Sequence, residues 1–413
     1  MKLLKKEDTI NFTLGDVSIA GNTLNGALIG LDKDGDDFYS DIVSGKEFHY
    51  NRLEPKKKEL CDSFIECGMF YKDGTRLKKV KQLSSAYVHV TNRCNLNCVG
   101  CYSMDENRNK QEDLSLNEIK YILKILKKNG LVQLIISGGE PFLRKDLVDI
   151  LIYAKKTLKI EFICVITNGT LVTKENLEKM KGYIDVISVS MDGYSKEQPV
   201  FIRGLDIFDK IINSIKLIQE FGITANLLPT IHKQNIKYIH KYEELAKELG
   251  CAISFSVLTN NTEESNEFIP DDEDLILLAS KTDGSGINIM DTPINAYTLV
   301  CRKSCGVGKT IISVTAKGDI YPCHMLHIEA LKMGNILTDN LEEVLNNSIY
   351  YSLNVQDFDT CKDCKYLNLC GGGCRCRAYM KNKNFTGADS YCALFKGYFA
   401  TVEKKISTMA EKI

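Results

Sequence analysis

The sequence has no strong excess of charge, no long hydrophobic run and no histidine spacing typical of a metal site. Its 413 residues carry a formal net charge of −1, so no global basic field indicates a nucleic acid or an anionic membrane as partner. No stretch approaches the length needed to cross a membrane. The first residues, Met-Lys-Leu-Leu-Lys-Lys, lack the apolar core of a signal peptide. We therefore expect a cytoplasmic protein whose thiols stay reduced.

The chain also lacks internal repeats and low-complexity segments, and its composition is that of an ordinary globular protein. Its length allows two or three domains, and we expect three. The boundaries that we predict are 1–75, 85–290 and 300–413. Charged residues at 74–81 are typical of a linker, and the acidic segment 260–298 is expected to be irregular.

Strand-like and helical patterns alternate through the middle of the chain, which predicts an α/β fold. The strand-like runs are Tyr87 to Val90, Val132 to Ile136, Glu161 to Ile166, Ile184 to Ser190, Thr224 to Thr230 and Ala252 to Leu258. Repeated strand–helix units indicate parallel strands joined by crossovers, here a partial (β/α)6 barrel. Active sites of such folds lie at the C-terminal ends of the strands. Polar motifs follow the first four runs, so we expect them to meet at one rim.

Eleven of the sixteen cysteines fall into two spacing patterns. The first is Cys94-Asn-Leu-Asn-Cys98-Val-Gly-Cys101, directly after the first strand-like run. Clustered thiols in a chain without an export signal indicate metal binding rather than disulfides. Three thiolates leave one iron of a four-iron cubane open for chemistry. The alternative is a zinc knuckle that lacks its fourth ligand.

This loop, with Tyr102 after it, resembles the C-x3-C-x2-C-aromatic motif of the radical S-adenosylmethionine superfamily. The resemblance implies a [4Fe–4S] cluster on Cys94, Cys98 and Cys101, with S-adenosylmethionine on the open iron. Reductive cleavage of that cofactor releases a 5′-deoxyadenosyl radical, which abstracts hydrogen from substrate. The cofactor brings the difficult chemistry, and the protein positions it.

Further motifs match the cofactor contacts of that family. Gly138-Gly139-Glu140-Pro141 resembles the motif that binds the amino group of the methionyl moiety, and its glycines allow close backbone approach. Ser190 and Arg203 resemble the residues that bind the ribose and the carboxylate, for which an arginine fork is the natural partner. Asn168 is a weaker candidate, since Asn-Gly is a common turn. Ordinary turn residues are the alternative for all of them.

The second cysteine pattern resembles the seven-cysteine signature of the SPASM extension, which carries two auxiliary [4Fe–4S] clusters. The resemblance assigns one cluster to Cys361, Cys364, Cys370 and Cys392. It assigns the other to Cys305, Cys323, Cys374 and an upstream thiolate, here Cys301. Three clusters are therefore expected in all, with zinc in the same sites as the alternative.

Several points of this assignment stay open. One alternative for the second cluster is an open iron in place of Cys301, and Cys376 is an alternative to Cys374. His324 follows a ligand and is either a neighbour of the cluster or a partly buried loop residue. The remaining cysteines are expected to be small buried hydrophobes. These are Cys61, Cys67, Cys164 and Cys251.

Radical chemistry requires only residues 85 onward, so the first 75 residues need a separate explanation. Short strands, two helical patterns and an apolar end at Met69 to Tyr71 resemble the winged-helix-like element that binds leaders of precursor peptides. Such modules add the leader as a strand at a sheet edge. The alternative is a structural cap. A DNA-binding winged helix is disfavoured, because the helical pattern from Glu54 to Cys67 has no excess of arginine.

These patterns predict a radical S-adenosylmethionine enzyme that matures a ribosomally made peptide. The expected product is a crosslink, namely a cysteine thioether, and an auxiliary cluster takes up the surplus electron. Carbon–carbon crosslinking and formylglycine formation are alternatives, as is a non-catalytic iron–sulfur or zinc protein. A flavodoxin- or ferredoxin-like protein is the expected reductant. The sequence does not identify the substrate peptide, the bond formed, the base or the oligomeric state.

Overall fold

The fold is described from a computed structural model that covers residues 3–72, 83–104, 107–197, 203, 207–259, 263–282, 287–294 and 299–410. The predicted linker at 74–81 lies outside these residues. Within the described ranges, no helix combines the length and apolar character that a membrane crossing requires.

The first 72 residues form two small antiparallel sheets and two helices. Their elements are β1 (Leu3–Lys5), β2 (Thr9–Leu14), β3 (Val17–Asn22), β4 (Leu28–Leu31), α1 (Lys33–Val43), α2 (Pro55–Glu66) and β5 (Phe70–Lys72). Strands β2, β3 and β4 pair in that order, and β1 pairs with β5. The predicted end strand is therefore present, although its partner β1 was not predicted. The winged-helix likeness stays a prediction.

The middle of the chain forms a parallel sheet whose strands follow one another in sequence order. The strands are β6 (Ser85–Thr91), β7 (Gln133–Gly138), β8 (Phe162–Thr167), β9 (Val186–Met191), β10 (Thr224–Ile231), β11 (Ala252–Ile253) and β12 (Ser256–Val257). The helices are α3 (Leu116–Lys128), α4 (Leu147–Ile152), α5 (Lys174–Met180), α6 (Phe208–Glu220) and α7 (Ile239–Leu249). The α/β prediction is confirmed by this sheet. The predicted sixth strand is split into β11 and β12, which both pair with β10.

Local sequence explains the connecting helices. Helix α3 begins with a capping box, in which Ser115 accepts from the backbone of Glu118 and the Glu118 carboxylate accepts from the backbone of Ser115. Its apolar residues recur on one face, where Ile119, Ile122 and Leu126 are fully buried against the sheet. The helices thus cover the outside of the sheet and leave its carboxyl ends free for loops.

The C-terminal region extends this sheet and ends in a long helix. Its elements are α8 (Asp272–Lys281), β13 (Ile311–Val314), β14 (Asp319–Tyr321), β15 (Gly334–Asn335), α9 (Leu341–Asn346), α10 (Leu367–Cys370), α11 (Arg375–Asn382) and α12 (Cys392–Ala410). Strands β13 and β14 pair as an antiparallel hairpin, and β13 also pairs in parallel with β6. The expectation of an irregular segment was wrong at α8, where a capping box at Asp271 starts a helix.

The N-terminal elements pack directly on the C-terminal ones. The backbone amide of Gly15 donates to Glu403 of α12 at 3.2 Å, and Lys303 pairs with the buried Asp8 at 2.8 Å. Leu14 and Ile19 share a buried apolar cluster with residues of α12. The first 72 residues are therefore anchored beside the cysteine-rich part of the chain.

Candidate functional site

The first cysteine motif forms a loop at the carboxyl end of β6. The backbone amide of Cys94 donates to Asn109 Oδ1 at 2.8 Å, and Cys98 is buried. Burial raises the pKa of Cys94 and raises that of Cys98 to about 11. The charges of the three thiols also affect one another, so the loop brings Cys94, Cys98 and Cys101 together.

An arginine outside any predicted motif lies against this loop. Arg108 Nη2 donates to Cys101 Sγ at 3.3 Å and to Ser103 Oγ at 3.1 Å. Although burial acts in the opposite direction, the Arg108 charge and the Ser103 hydroxyl lower the pKa of Cys101. Arg108 Nε and Nη1 are buried without a hydrogen-bond partner in the structure. Free donors beside three thiols fit a site for an anionic metal–sulfur group.

The Gly-Gly-Glu motif at the end of β7 packs against the start of the cysteine loop. A Cβ on Gly138 would lie 2.2 Å from the carbonyl oxygen of Thr91, and one on Gly139 would lie 2.1 Å from that of Arg93. The backbone amide of Gly139 donates to Thr91 O at 2.9 Å. Glycine is therefore required here because two backbone segments approach closely.

Gly139→Ala should cost the chain the metal site of the first motif, since the new methyl group displaces the backbone of Arg93. We expect a loss of about four irons per chain and loss of S-adenosylmethionine cleavage. The measurement is iron content together with released 5′-deoxyadenosine. Gly30→Ala is the matched control, because its Cβ would lie 3.6 Å from Val17 Cγ1, an ordinary contact. Full iron and full cleavage in Gly139→Ala would contradict this account of the glycine.

Glu140 joins the ends of two strands. Its carboxylate is fully buried and accepts from Thr167 Oγ1 and from the backbone amide of Asn168, both at 2.8 Å, and from Phe142 N at 3.0 Å. Burial raises its pKa, whereas these hydrogen bonds act in the opposite direction. Asn168 in turn donates to Asn95 in the cysteine loop at 2.9 Å. Both residues thus fix the loops at this rim.

Ser190 and Arg203 lie in the same cavity as the cysteine loop. This cavity of about 150 Å³ is lined by Cys98, Cys101, Tyr102, Ser190 and Arg203, among others. Tyr102 shares a hydrogen bond of 2.5 Å with Ser137. The expected convergence of polar motifs on one rim is therefore present, and the predicted contacts with S-adenosylmethionine stay a prediction.

Sequence reasoning missed the partners of Arg203. Its Nε lies 3.1 Å from Asp192, whose carboxylate is fully buried, and its Nη2 donates to Thr230 Oγ1 at 3.1 Å. Burial raises the pKa of Asp192, and the adjacent guanidinium opposes this shift. Asp192 is in the stretch Ser-Met-Asp-Gly that the sequence already singled out, so its position was visible but its role was not.

Arg203→Lys should weaken S-adenosylmethionine binding while leaving iron content unchanged. Lysine keeps a positive charge beside Asp192 but loses the planar fork that suits a carboxylate. Losing one charged hydrogen bond costs about 1.5–3 kcal/mol, which is roughly tenfold or more in Kd. Equilibrium dialysis with the reconstituted protein measures this Kd. Lys196→Gln, which breaks a surface ion pair, is the control. An unchanged Kd would move the carboxylate contact to another residue.

The C-terminal cysteines separate into two groups. Burial raises the pKa of Cys370, and the charges of three other cysteines add to the shift. These are Cys392, Cys361 and Cys364. Burial likewise raises the pKa of Cys323, with contributions from Cys374 and Cys305. Within each group the thiols lie close enough for their charges to act on one another, and the role of both groups as ligand sets stays a prediction.

Cys301 and Cys376 occupy different positions. The Cys301 thiol faces β3, since a Cβ on Gly21 would lie 2.7 Å from its Sγ. Its position therefore lends no support to a ligand role, which stays a prediction. Cys376 hydrogen-bonds to Cys374 and lies 3.2 Å from the carbonyl oxygen of Met325. Cys374 lines the adjoining cavity of about 580 Å³ together with Cys305 and Cys323.

The chemistry of the donor groups fits iron–sulfur clusters, because thiolates are the usual ligands of such clusters. Among the residues that the structure describes, no three cysteine, histidine or carboxylate side chains converge on one ion position. Cubane thiolates each bind a different iron, so they surround the cluster instead of meeting at one point. The fully buried Arg375 has two nitrogens without a partner. Burial raises the pKa of Cys305, and the charge of Arg375 opposes this shift.

An aromatic and acidic wall lies between the two cavities. His324 stacks on Tyr87 with ring centroids 3.9 Å apart, and its Nε2 lies 3.7 Å from Asp291. Both cavities are lined by Tyr87, Asp291 and His324, so they adjoin along this wall. His324 Nδ1 is 3.6 Å from Cys323 Sγ, so the imidazole lies beside this cysteine.

Two family models match separate parts of this chain. The model of the radical SAM superfamily matches residues 88–246, and that of the SPASM iron–sulfur cluster-binding domain matches residues 305–365. The AdoMet-dependent heme synthase of Methanosarcina barkeri is 28% identical over 340 residues, which cover 73% of this chain and 94% of that protein.

A second relative and a solved structure extend the comparison. The antilisterial bacteriocin subtilosin biosynthesis protein AlbA of Bacillus subtilis is 26% identical over 322 residues, 72% of this chain and 68% of that protein. The structure of Streptococcus suis SuiB bound to precursor peptide SuiA aligns with a TM-score of 0.60 at 20% identity. That alignment covers 94% of this chain and 99% of SuiB, so the fold is shared almost throughout.

Proposed function

Because the chain carries a radical SAM domain followed by a SPASM iron–sulfur cluster-binding domain, we propose that it matures a ribosomally made precursor peptide. The observation that carries this proposal is the pair of adjoining cavities. One is lined by the first cysteine motif, Ser190 and Arg203, and the other by cysteines of both C-terminal sets. A substrate between them contacts both kinds of site.

Three cubanes and S-adenosylmethionine are the cofactors that we propose. Cys94, Cys98 and Cys101 would bind the first cluster, with Arg108 as its hydrogen-bond donor. When bound there, the cluster and S-adenosylmethionine together would supply a 5′-deoxyadenosyl radical for hydrogen abstraction. Ser190 and Arg203 orient the cofactor in the smaller cavity, and Asp192 and Thr230 keep the Arg203 fork in place.

The two C-terminal sets would bind auxiliary clusters. Cys374 starts α11, and its backbone amide donates to Asp389 at 2.6 Å. Asp389 also accepts from Nε and Nη2 of Arg377, at 2.8 and 2.9 Å, in a fully buried ion pair. This pair fixes the loop between the sets, because breaking it leaves a buried charge without a partner.

The relatives support a peptide as substrate. AlbA acts in the biosynthesis of a bacteriocin, and SuiB has been solved with its precursor peptide. The alignment with SuiB extends over most of the N-terminal region as well. We propose that residues 1–72 bind the leader at a free edge of the β2–β3–β4 sheet, with a flavodoxin- or ferredoxin-like reductant as the second partner.

The bond that we propose is a cysteine thioether. Carbon–carbon crosslinking and formylglycine formation remain the alternatives, and the similarity to the heme synthase favours a tetrapyrrole substrate as a second candidate. The experiment incubates reconstituted protein with S-adenosylmethionine, reductant and each cysteine-containing precursor peptide that a neighbouring gene is found to encode. Mass spectrometry follows the product after iodoacetamide treatment.

The product distinguishes these cases. A peptide that forms a thioether loses two hydrogens, and its crosslinked cysteine no longer reacts with iodoacetamide. A carbon–carbon crosslink loses two hydrogens but keeps the reactive thiol, and formylglycine reacts as an aldehyde. An unmodified peptide together with turnover of an iron porphyrin would replace the peptide proposal by the tetrapyrrole one.

A further inference from the structure

Arg302 lies between the two C-terminal cysteine sets. It lines the larger cavity together with Cys305 of one set and Cys370 of the other. Its backbone amide donates to the carbonyl oxygen of Asn368 at 2.8 Å, which attaches this segment to α10 just before Cys370. The backbone of Arg302 is therefore held at a position from which its side chain reaches the cavity between the two cysteine sets.

Gly371, which directly follows Cys370, leaves room for the side chain of Arg302. Gly371 has a φ of +60° where it ends α10, and a Cβ there would lie 2.9 Å from Arg302 Cγ. Any larger residue would displace the arginine stem, so the tight turn after Cys370 and the arginine depend on each other.

The Arg302 side chain is half-buried and incompletely paired. Arg302 Nε has no hydrogen-bond partner in the structure. Burial lowers the pKa of Arg302, whereas the charges of Cys370, Cys305 and Cys301 act in the opposite direction. The electrostatic partners of this cation are thus thiols of both sets. A buried donor without a partner indicates an anionic group that completes the site.

We infer that Arg302 is a positioning residue that raises the reduction potential of the auxiliary clusters. A cubane with thiolate ligands is anionic, and reduction adds one further negative charge. A fixed cation beside both sets stabilises that added charge more strongly than water does, because the surroundings have a low dielectric constant. Electron uptake by the auxiliary clusters is then easier, which suits their use as electron acceptors. This inference rests on the ligand sets proposed above.

The test is an EPR-monitored redox titration of the full chain in which Cys94, Cys98 and Cys101 are alanine, so that only auxiliary clusters contribute. Arg302→Gln should shift at least one midpoint potential to more negative values. Arg302→Lys should restore much of the shift, because it keeps the charge. A midpoint potential does not depend on the loaded fraction, so partial loss of iron leaves the comparison valid.

Lys303→Gln is the matched control. Its side chain pairs with Asp8 of the N-terminal region at 2.8 Å and is 40% exposed, so its removal should leave the potentials unchanged. Unchanged potentials in Arg302→Gln, or equal shifts in all three variants, would overturn the role of Arg302 alone. A parent protein without about eight irons would overturn the ligand sets as well, and iron analysis separates these two failures.

Discussion

Replacing Cys94, Cys98 and Cys101 together by alanine should lower the iron content from about twelve to about eight per chain. Formation of 5′-deoxyadenosine should be abolished. The reason is that Cys98 and Cys101 line the smaller cavity and Cys94 lies in the same loop, whereas the other sets line or adjoin the larger cavity. Iron analysis and chromatography of the nucleoside product measure both effects.

The matched control replaces Cys361 and Cys364 by alanine in a chain that keeps the first motif. It should also lose about four irons, because both thiols affect Cys370 in the structure. It should retain some cleavage of S-adenosylmethionine but no longer modify peptide. Cleavage by the first variant, or full peptide modification by the second, would contradict the division of labour between the motifs.

Deleting residues 1–72 should leave cleavage of S-adenosylmethionine largely intact and abolish most modification of a full-length precursor. Every proposed cofactor contact lies in or after β6, so the cleavage machinery remains. Without the leader site, the enzyme loses the tethering of the core peptide, which is worth about 10²- to 10⁴-fold in effective affinity. Rates are compared at equal iron content by mass spectrometry of the precursor.

The deletion also removes apolar packing against the last helix. Leu14 and Ile19 belong to an apolar cluster shared with α12, so the truncated chain exposes apolar surface. Fluorescence polarisation of a labelled leader with the intact enzyme therefore accompanies the deletion, and saturable binding is expected. No binding, together with wild-type modification by the truncated chain, would make residues 1–72 a structural cap.

The sequence predicted the elements of the parallel sheet well because their apolar runs are local signals. It placed β7 at Val132 to Ile136, against Gln133–Gly138 in the structure. It did not predict that β13 joins β6 in parallel, since this pairing links residues more than 200 positions apart. Helix α8 was missed because its acidic first turn was taken for a solvated loop, although such residues favour a helix N-terminus.

The site was predictable where motifs are contiguous and not where contacts are distant. The cysteine spacings indicated ligand sets, which stay a prediction, and the structure places several of these thiols near one another. The roles of Asp192, Arg108 and Arg302 depend on where buried charges meet, which no spacing reports. Arg108 lies seven residues after Cys101, in a segment without any regular pattern, so only its contact with the thiol identifies it.

The central claim is that this chain uses S-adenosylmethionine to abstract hydrogen from a precursor peptide. It is tested most directly with a deuterated precursor, by following label into 5′-deoxyadenosine. We predict that the reconstituted wild-type enzyme transfers deuterium from the peptide to the nucleoside while the peptide loses two hydrogens. Nucleoside without deuterium, and a peptide of unchanged mass, would contradict the claim.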